Sequence, residues 1–116
     1  MKYHVLTLFP EMIENTVNTS ITGRALKSGK ISLHTVNIRD FADNKHMRVD
    51  DYPYGGGAGM VMQAEPVFRA YESVRKESQA ARQGKKPRCI YLTPQGQVFR
   101  QTMVEELAME EELIFL

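Results

Sequence analysis

Tyr3-His4-Val5-Leu6-Thr7-Leu8-Phe9-Pro10-Glu11-Met12 is the stretch that decides the fold. Residues 3–9 are apolar, β-rich and few, and read as a buried strand. Pro10 stands where its fixed φ suits a first helical turn, and Glu11 complements the positive end of that helix. Met12, Ile13, Thr16 and Val17 then hold one helical face. A second short helix is expected over 22–28, with Gly29 in the left-handed cap position. A second strand is expected over 31–38. Strand, helix, strand in this order implies a parallel pair joined by a right-handed crossover.

The pattern continues to Leu116. Glu65-Pro66 opens a helix whose apolar stripe is Val67, Ala70, Tyr71 and Val74, with a polar end over 79–84. Lys85-Lys86-Pro87 closes the connection, and 88–92 reads as a third strand. Thr93-Pro94-Gln95-Gly96 is a tight turn. A further helix is expected to turn Phe99, Met103, Leu107 and Ala108 inward, before a fourth strand over 113–116. Buried strands alternating with amphipathic segments predict an α/β domain: a mostly parallel sheet with flanking helices.

A length of 116 residues fits one domain with a modest core. The formal net charge is +1, so no overall basic field marks a nucleic-acid partner. Phosphates, if RNA is bound, must meet a local patch or a second subunit. Cys89 is the single cysteine and cannot form an internal disulfide, which suits a reducing compartment. Its strand-like surroundings predict a buried, inert thiol. No signal-peptide pattern follows Met1, and no apolar run approaches the roughly 20 residues of a membrane helix. His4, His34 and His46 have no zinc-like spacing, so no metal is expected. Neither a dinucleotide fingerprint nor an NTPase phosphate loop is present: Gly23 and Gly29 are separated by five residues, not four.

The densest chemistry lies in Asp50-Asp51-Tyr52-Pro53-Tyr54-Gly55-Gly56-Gly57-Ala58-Gly59-Met60. Four glycines within five residues give up much backbone entropy on ordering. A fold tolerates that where the chain bends sharply or lies against a ligand. A linker would be the bland account, but aromatic and apolar brackets favour a functional loop. His46, Arg48, Asp50 and Asp51 form its charged set. Arg24, Lys45 and Arg48 are candidates for phosphates or a guanine edge, although each alone is more often a solvated side chain.

Together with Leu8-Phe9-Pro10-Glu11-Met12, Thr22-Gly23-Arg24-Ala25, Arg39-Asp40-Phe41 and Tyr91-Leu92-Thr93-Pro94-Gln95-Gly96, this loop resembles the N-terminal part of the bacterial tRNA (guanine-N1)-methyltransferases. These are S-adenosyl-L-methionine-dependent enzymes of the knotted SPOUT class, and the resemblance runs in order along the whole chain. It implies that Tyr91, Leu92, Thr93, Pro94, Gln95 and Gly96 supply one wall of the cofactor pocket. Without it, Thr93–Gly96 would be a plain turn before a helix. It also implies that Arg24, His46, Arg48, Asp50, Asp51, Tyr54, Gly55, Gly56, Gly57 and Gly59 shape the site for the guanosine immediately 3′ of the anticodon. The family's proposed catalytic aspartate corresponds to neither Asp50 nor Asp51 and would lie beyond Leu116. On this reading residues 1–116 are an incomplete SPOUT domain without the knot segment or the helical C-terminal domain, unknotted and inactive alone. A tRNA partner, a homodimer, a cytoplasmic setting and no membrane are expected. The alternative is a standalone, non-catalytic RNA-binding or interaction module.

Overall fold

The computed structural model of the chain describes residues 1–42, 50–51 and 61–116. In chain order its elements are β1 (Lys2–Thr7), α1 (Pro10–Val17), α2 (Ser20–Lys27), β2 (Ser32–Asn37), a 3-10 turn (Ile38–Phe41), β3 (Asp50–Asp51), β4 (Val61–Met62), α3 (Ala64–Glu77), α4 (Gln79–Arg82), β5 (Arg88–Ile90), α5 (Gln101–Ala108) and β6 (Glu112–Phe115). The main sheet has the order β2-β1-β6-β5, and every neighbouring pair is parallel. The α/β architecture with a parallel sheet is the one the strand and helix spacing predicts.

Helices cover both faces. Leu6 and Ile114 point to the side where Ala70 and Val74 of α3 meet them, and Ile38 completes this buried core. Residue alternation turns the neighbours of Leu6 and Ile114 the other way. There Glu14 of α1 accepts a hydrogen bond from Thr35, and Arg88 pairs with Glu106 of α5 at 2.9 Å.

The connection from α1 to α2 explains Thr22-Gly23. Thr22 Oγ1 bonds the carbonyls of Val17 at 2.6 Å and Thr19 at 2.9 Å. Gly23 is buried, and a Cβ there would sit 2.9 Å from the backbone of Asn18. Gly29 has φ +77° and ends α2 as expected. Its N–H bonds Leu26 O at 3.2 Å while that of Lys30 bonds Ala25 O at 3.0 Å, the paired bonds of a Schellman cap.

Three expectations need correction. The helix opened by Pro66 does not run on into a polar end: Ser78 takes an extended backbone (ψ 150°) and caps a separate short helix. Its hydroxyl accepts from the Ala81 N–H at 3.1 Å. Phe99 and Ala108 do not face inward; α5 begins only at Gln101, and both residues are exposed. Cys89 is exposed: it lies on β5, the edge strand of the main sheet.

Candidate functional site

Parallel α/β sheets bind ligands beyond the carboxyl ends of their strands. In this sheet those ends are Thr7, Asn37, Phe115 and Ile90. An open groove of about 730 Å³ lies there on the α3 side. Leu8 and Phe9 follow β1 into it, Ile38 follows β2, Leu116 ends β6, and Val67, Phe68 and Tyr71 of α3 form the opposite wall. Among the described residues its lining includes no Asp, Glu, Lys or Arg.

Of the six residues expected to face a cofactor, Tyr91 lines this groove. Leu92 is exposed, and its N–H bonds Leu116 O at 3.0 Å, tying the loop to the end of β6. Thr93–Gly96 forms the expected turn. Thr93 O accepts from the Gly96 N–H at 3.1 Å, and Thr93 Oγ1 accepts from the Gln95 N–H at 3.3 Å. Space is tight at Gly96: a Cβ there would lie 3.3 Å from Thr93 O. Pro94, Gln95 and Gly96 are exposed.

The strand that follows the glycine-rich stretch borders the same groove. Asp50 and Asp51 occupy β3, which pairs antiparallel with β4 through Asp50↔Met62 and Asp51↔Val61. Met62, Gln63 and Ala64 then line the groove, so the return strand of the glycine-rich segment enters at its rim. Lys45, His46, Arg48, Tyr54, Gly55, Gly56, Gly57 and Gly59 lie outside the described residues. Arg24 is exposed on α2 and is not part of the groove. Sequence reasoning missed Leu8, Phe9 and Phe68 as site residues. Phe68 carried a usable signal, since it falls off the apolar stripe of α3 and is 62% exposed.

Two groups in the groove have shifted acidities. Burial pushes the Cys89 thiol up. Burial also raises the Tyr71 hydroxyl, helped by the nearby Cys89. At neutral pH both stay protonated, so the described wall is uncharged. Among the described residues no cluster of His, Cys, Asp or Glu could hold a metal ion. Nor is any helix among them long and apolar enough to cross a membrane.

The family model described as "tRNA (Guanine-1)-methyltransferase TrmD" matches residues 1–116. The chain belongs to this family. It is 55% identical over 116 residues to the tRNA (guanine-N(1)-)-methyltransferase of Lachnospira eligens, covering all of this chain and 47% of the relative. The Moorella thermoacetica protein of the same name is 53% identical, with 45% of its length covered. A crystal structure of tRNA (m1G37) methyltransferase from Aquifex aeolicus superposes with a TM-score of 0.82 at 33% identity, covering 99% of this chain and 49% of that one. The chain thus spans about half the length of the relatives it matches. The fold is that of the TrmD methyltransferases.

Proposed function

We propose that residues 1–116 form the N-terminal part of a SPOUT methyltransferase domain that methylates N1 of the guanosine 3′ of the anticodon in tRNA. The observation that carries this reading is the family match along the whole chain, on a sheet whose carboxyl end opens into a groove that Tyr91 lines.

The groove suits part of S-adenosyl-L-methionine. Leu8, Phe9, Tyr91 and Leu116 offer apolar and aromatic surface for an adenine face and a thioether-like chain, and the turn at 93–96 offers backbone groups at the rim. The charged amino-acid end of the cofactor has no charged partner among the described groove residues. When bound, the cofactor supplies a methyl group on a sulfonium centre. This chain's part is positioning: Tyr91–Gly96 as one wall, and the loop from Asp50 to Gly59 as the cover for the guanine. We assign no residue of this chain as the base that removes the N1 proton.

On this reading the facing loops and the base come from the region the relatives have beyond the matched span. The chain alone then binds S-adenosyl-L-methionine weakly and methylates no tRNA, since a good pocket covers roughly 70–90% of its ligand. Exposed Phe9, Leu92, Val98, Phe99 and Met109 support a homodimer. A cytoplasmic setting fits a tRNA substrate. The test is a chimera joining this chain to the C-terminal half of the Lachnospira eligens relative, assayed with a tRNA carrying guanosine 3′ of its anticodon. Methyl transfer to N1, abolished by Gly59→Val with the fold intact, is expected. A folded chimera that transfers no methyl group, or unimpaired Gly59→Val turnover, would refute the reading.

A further inference from the structure

A second groove, of about 640 Å³, lies outside α3 and α4 and shares Phe68 and Tyr71 with the first. Its far end is formed by Gly84, Lys85 and Lys86. We propose that this groove binds the backbone of a single-stranded RNA segment, with Lys85 and Lys86 on phosphates and Phe68 as a stacking platform. The proposal rests on the RNA-methyltransferase reading and adds a path along which the substrate strand runs away from the catalytic groove.

Lys85 and Lys86 also border a groove lined by Glu110, Glu111 and Glu112; Glu110 is paired there with Arg88 at 3.5 Å and Glu112 with His4, which leaves Glu111 as the acid without an ion-pair partner among the described residues. On the Phe68 side the balance is better for a polyanion. Glu72 is the acid in the lining, and Arg75 neutralises it through two hydrogen bonds, Nε to Oε1 at 2.9 Å and the terminal nitrogen to Oε2 at 2.8 Å. Lys85 and Lys86 are both exposed, and neither ammonium group has a carboxylate partner among the described residues. The molecule as a whole carries only +1, so this pair is a local feature of the kind that phosphate binding would require.

The lysines are also held in place. Gly84 has φ +71°. Its N–H bonds Ala81 O at 3.0 Å, and the N–H of Lys85 bonds Ala80 O at 2.8 Å. These bonds close α4 in a Schellman cap, and buried Pro87 follows. A fixed corner presents both cations beside the aromatic wall. Cations that follow a backbone, next to an aromatic face on which any base can stack, are the elements of sequence-tolerant single-strand binding. Phe68 joins the two grooves, so a strand stacked on it would reach both.

The 116-residue chain is titrated into a fluorescein-labelled 12-nucleotide single-stranded RNA of mixed sequence over a series of salt concentrations. Lys85→Gln with Lys86→Gln should weaken binding and lower the slope of log K against log salt by about 1.4, two phosphates at roughly 0.7 each. Phe68→Ser should weaken binding about fivefold or more with little change in slope. Unchanged circular dichroism must accompany both variants. The proposal is overturned if the wild-type chain fails to bind at low salt, if the double variant keeps the wild-type slope, or if poly-glutamate competes as well as unlabelled RNA. The chimera assay separates the two ideas. An active chimera with an unaltered slope removes this path alone, and an inactive, folded chimera with the expected slope change removes the catalytic reading alone.

Discussion

His4 Nε2 lies 2.5 Å from Glu112 Oε1, and the two residues bridge neighbouring strands β1 and β6 at a point where His4 is 1% exposed. The bond belongs to a chain. His4 Nδ1 is 3.0 Å from Nδ1 of His34 on β2, and Glu112 Oε2 accepts from the N–H groups of Gln79 at 2.9 Å and Ala80 at 3.4 Å. Those two N–H groups open α4 and have no partner within it. Glu112 therefore acts as a cap supplied from across the fold, and it fixes the α3–α4 corner to three strands.

Removing the carboxylate should be costly in a way that depends on the replacement. Glu112→Leu leaves two backbone donors and a buried imidazole without partners, and loss of one partner of a buried pair typically costs about 3–5 kcal/mol. Glu112→Gln can keep its oxygen on α4 and turn its amide to His4. The imidazoles then reverse, His4 donating from Nδ1 to His34. A cost of about 1 kcal/mol is expected for the Gln variant. Urea unfolding of the two variants checks the order; equal losses would contradict the network.

Acid should loosen the same corner in two stages. His34 is held below its ordinary value of 6.5 by burial first, then by the charges of His4 and Lys2, against a smaller opposing influence of Glu77. Glu112 is raised by burial, but its hydrogen bonds from His4, Ala80 and Gln79 outweigh that and hold it below 4.5. Both groups are depressed in the folded state. Their contributions are complete above 6.5 and above 4.5 respectively, and each is lost as pH falls through the lower folded value. The urea midpoint should begin to fall once pH drops below 6.5 and fall further below 4.5. His34→Gln should remove the first stage only. A midpoint that rises on acidification from pH 7 to 5.5 would contradict the assignment.

Much of this fold could be read before the structure because strand length, Pro10 and Gly29 are local signals that packing did not override. The His4–His34–Glu112 chain was not readable in that way: its members are 30 and 108 positions apart, and only the register His4↔His34 and Lys2↔Glu112 brings them together. Cys89 misled for a related reason. An apolar strand run does not reveal whether it will be an edge, and β5 is one. At the candidate site, the turn at Thr93–Gly96 was legible from its own residues, whereas its link to a cofactor came only from the family resemblance. Phe9, Phe68 and Tyr71 became neighbours only through the packing of α3.

Gly23, inside α2, and Gly29, which ends it, should both resist a methyl group, for different reasons. At Gly23 the new Cβ would meet backbone atoms of Asn18 at 2.9 Å, and backbone cannot swing aside like a side-chain tip. Overpacking of this kind costs roughly 1–3 kcal/mol, offset in part by the better helix propensity of alanine, about 1 kcal/mol. At Gly29 the space is open and the cost is that of the left-handed backbone, about 1–2 kcal/mol. Thermal unfolding measures stability, but the two sites separate best by a second pair of variants. Gly29→Asn should recover much of the loss, whereas Gly23→Asn should be worse than Gly23→Ala. Recovery at position 23 would show that the clash does not control that corner.

Cys89 offers a direct report on the proposed cofactor groove. Its side chain is exposed and lines the groove with Tyr71 and Tyr91, yet burial of its surroundings holds the thiol above 9.0. Only the thiolate reacts, so accessibility and reactivity should part company. Iodoacetamide labelling should be slow at pH 7 and rise about tenfold per pH unit, with no plateau before pH 9. In the chimera, S-adenosyl-L-methionine bound along the Tyr91 wall should slow that labelling in proportion to occupancy. Cys89→Ser should abolish the signal and leave the sheet intact, because an exposed edge position loses little packing. A plateau below pH 8 would mean that a cation, absent from the described lining, reaches the thiol and that the wall is not the neutral surface on which the cofactor fit depends.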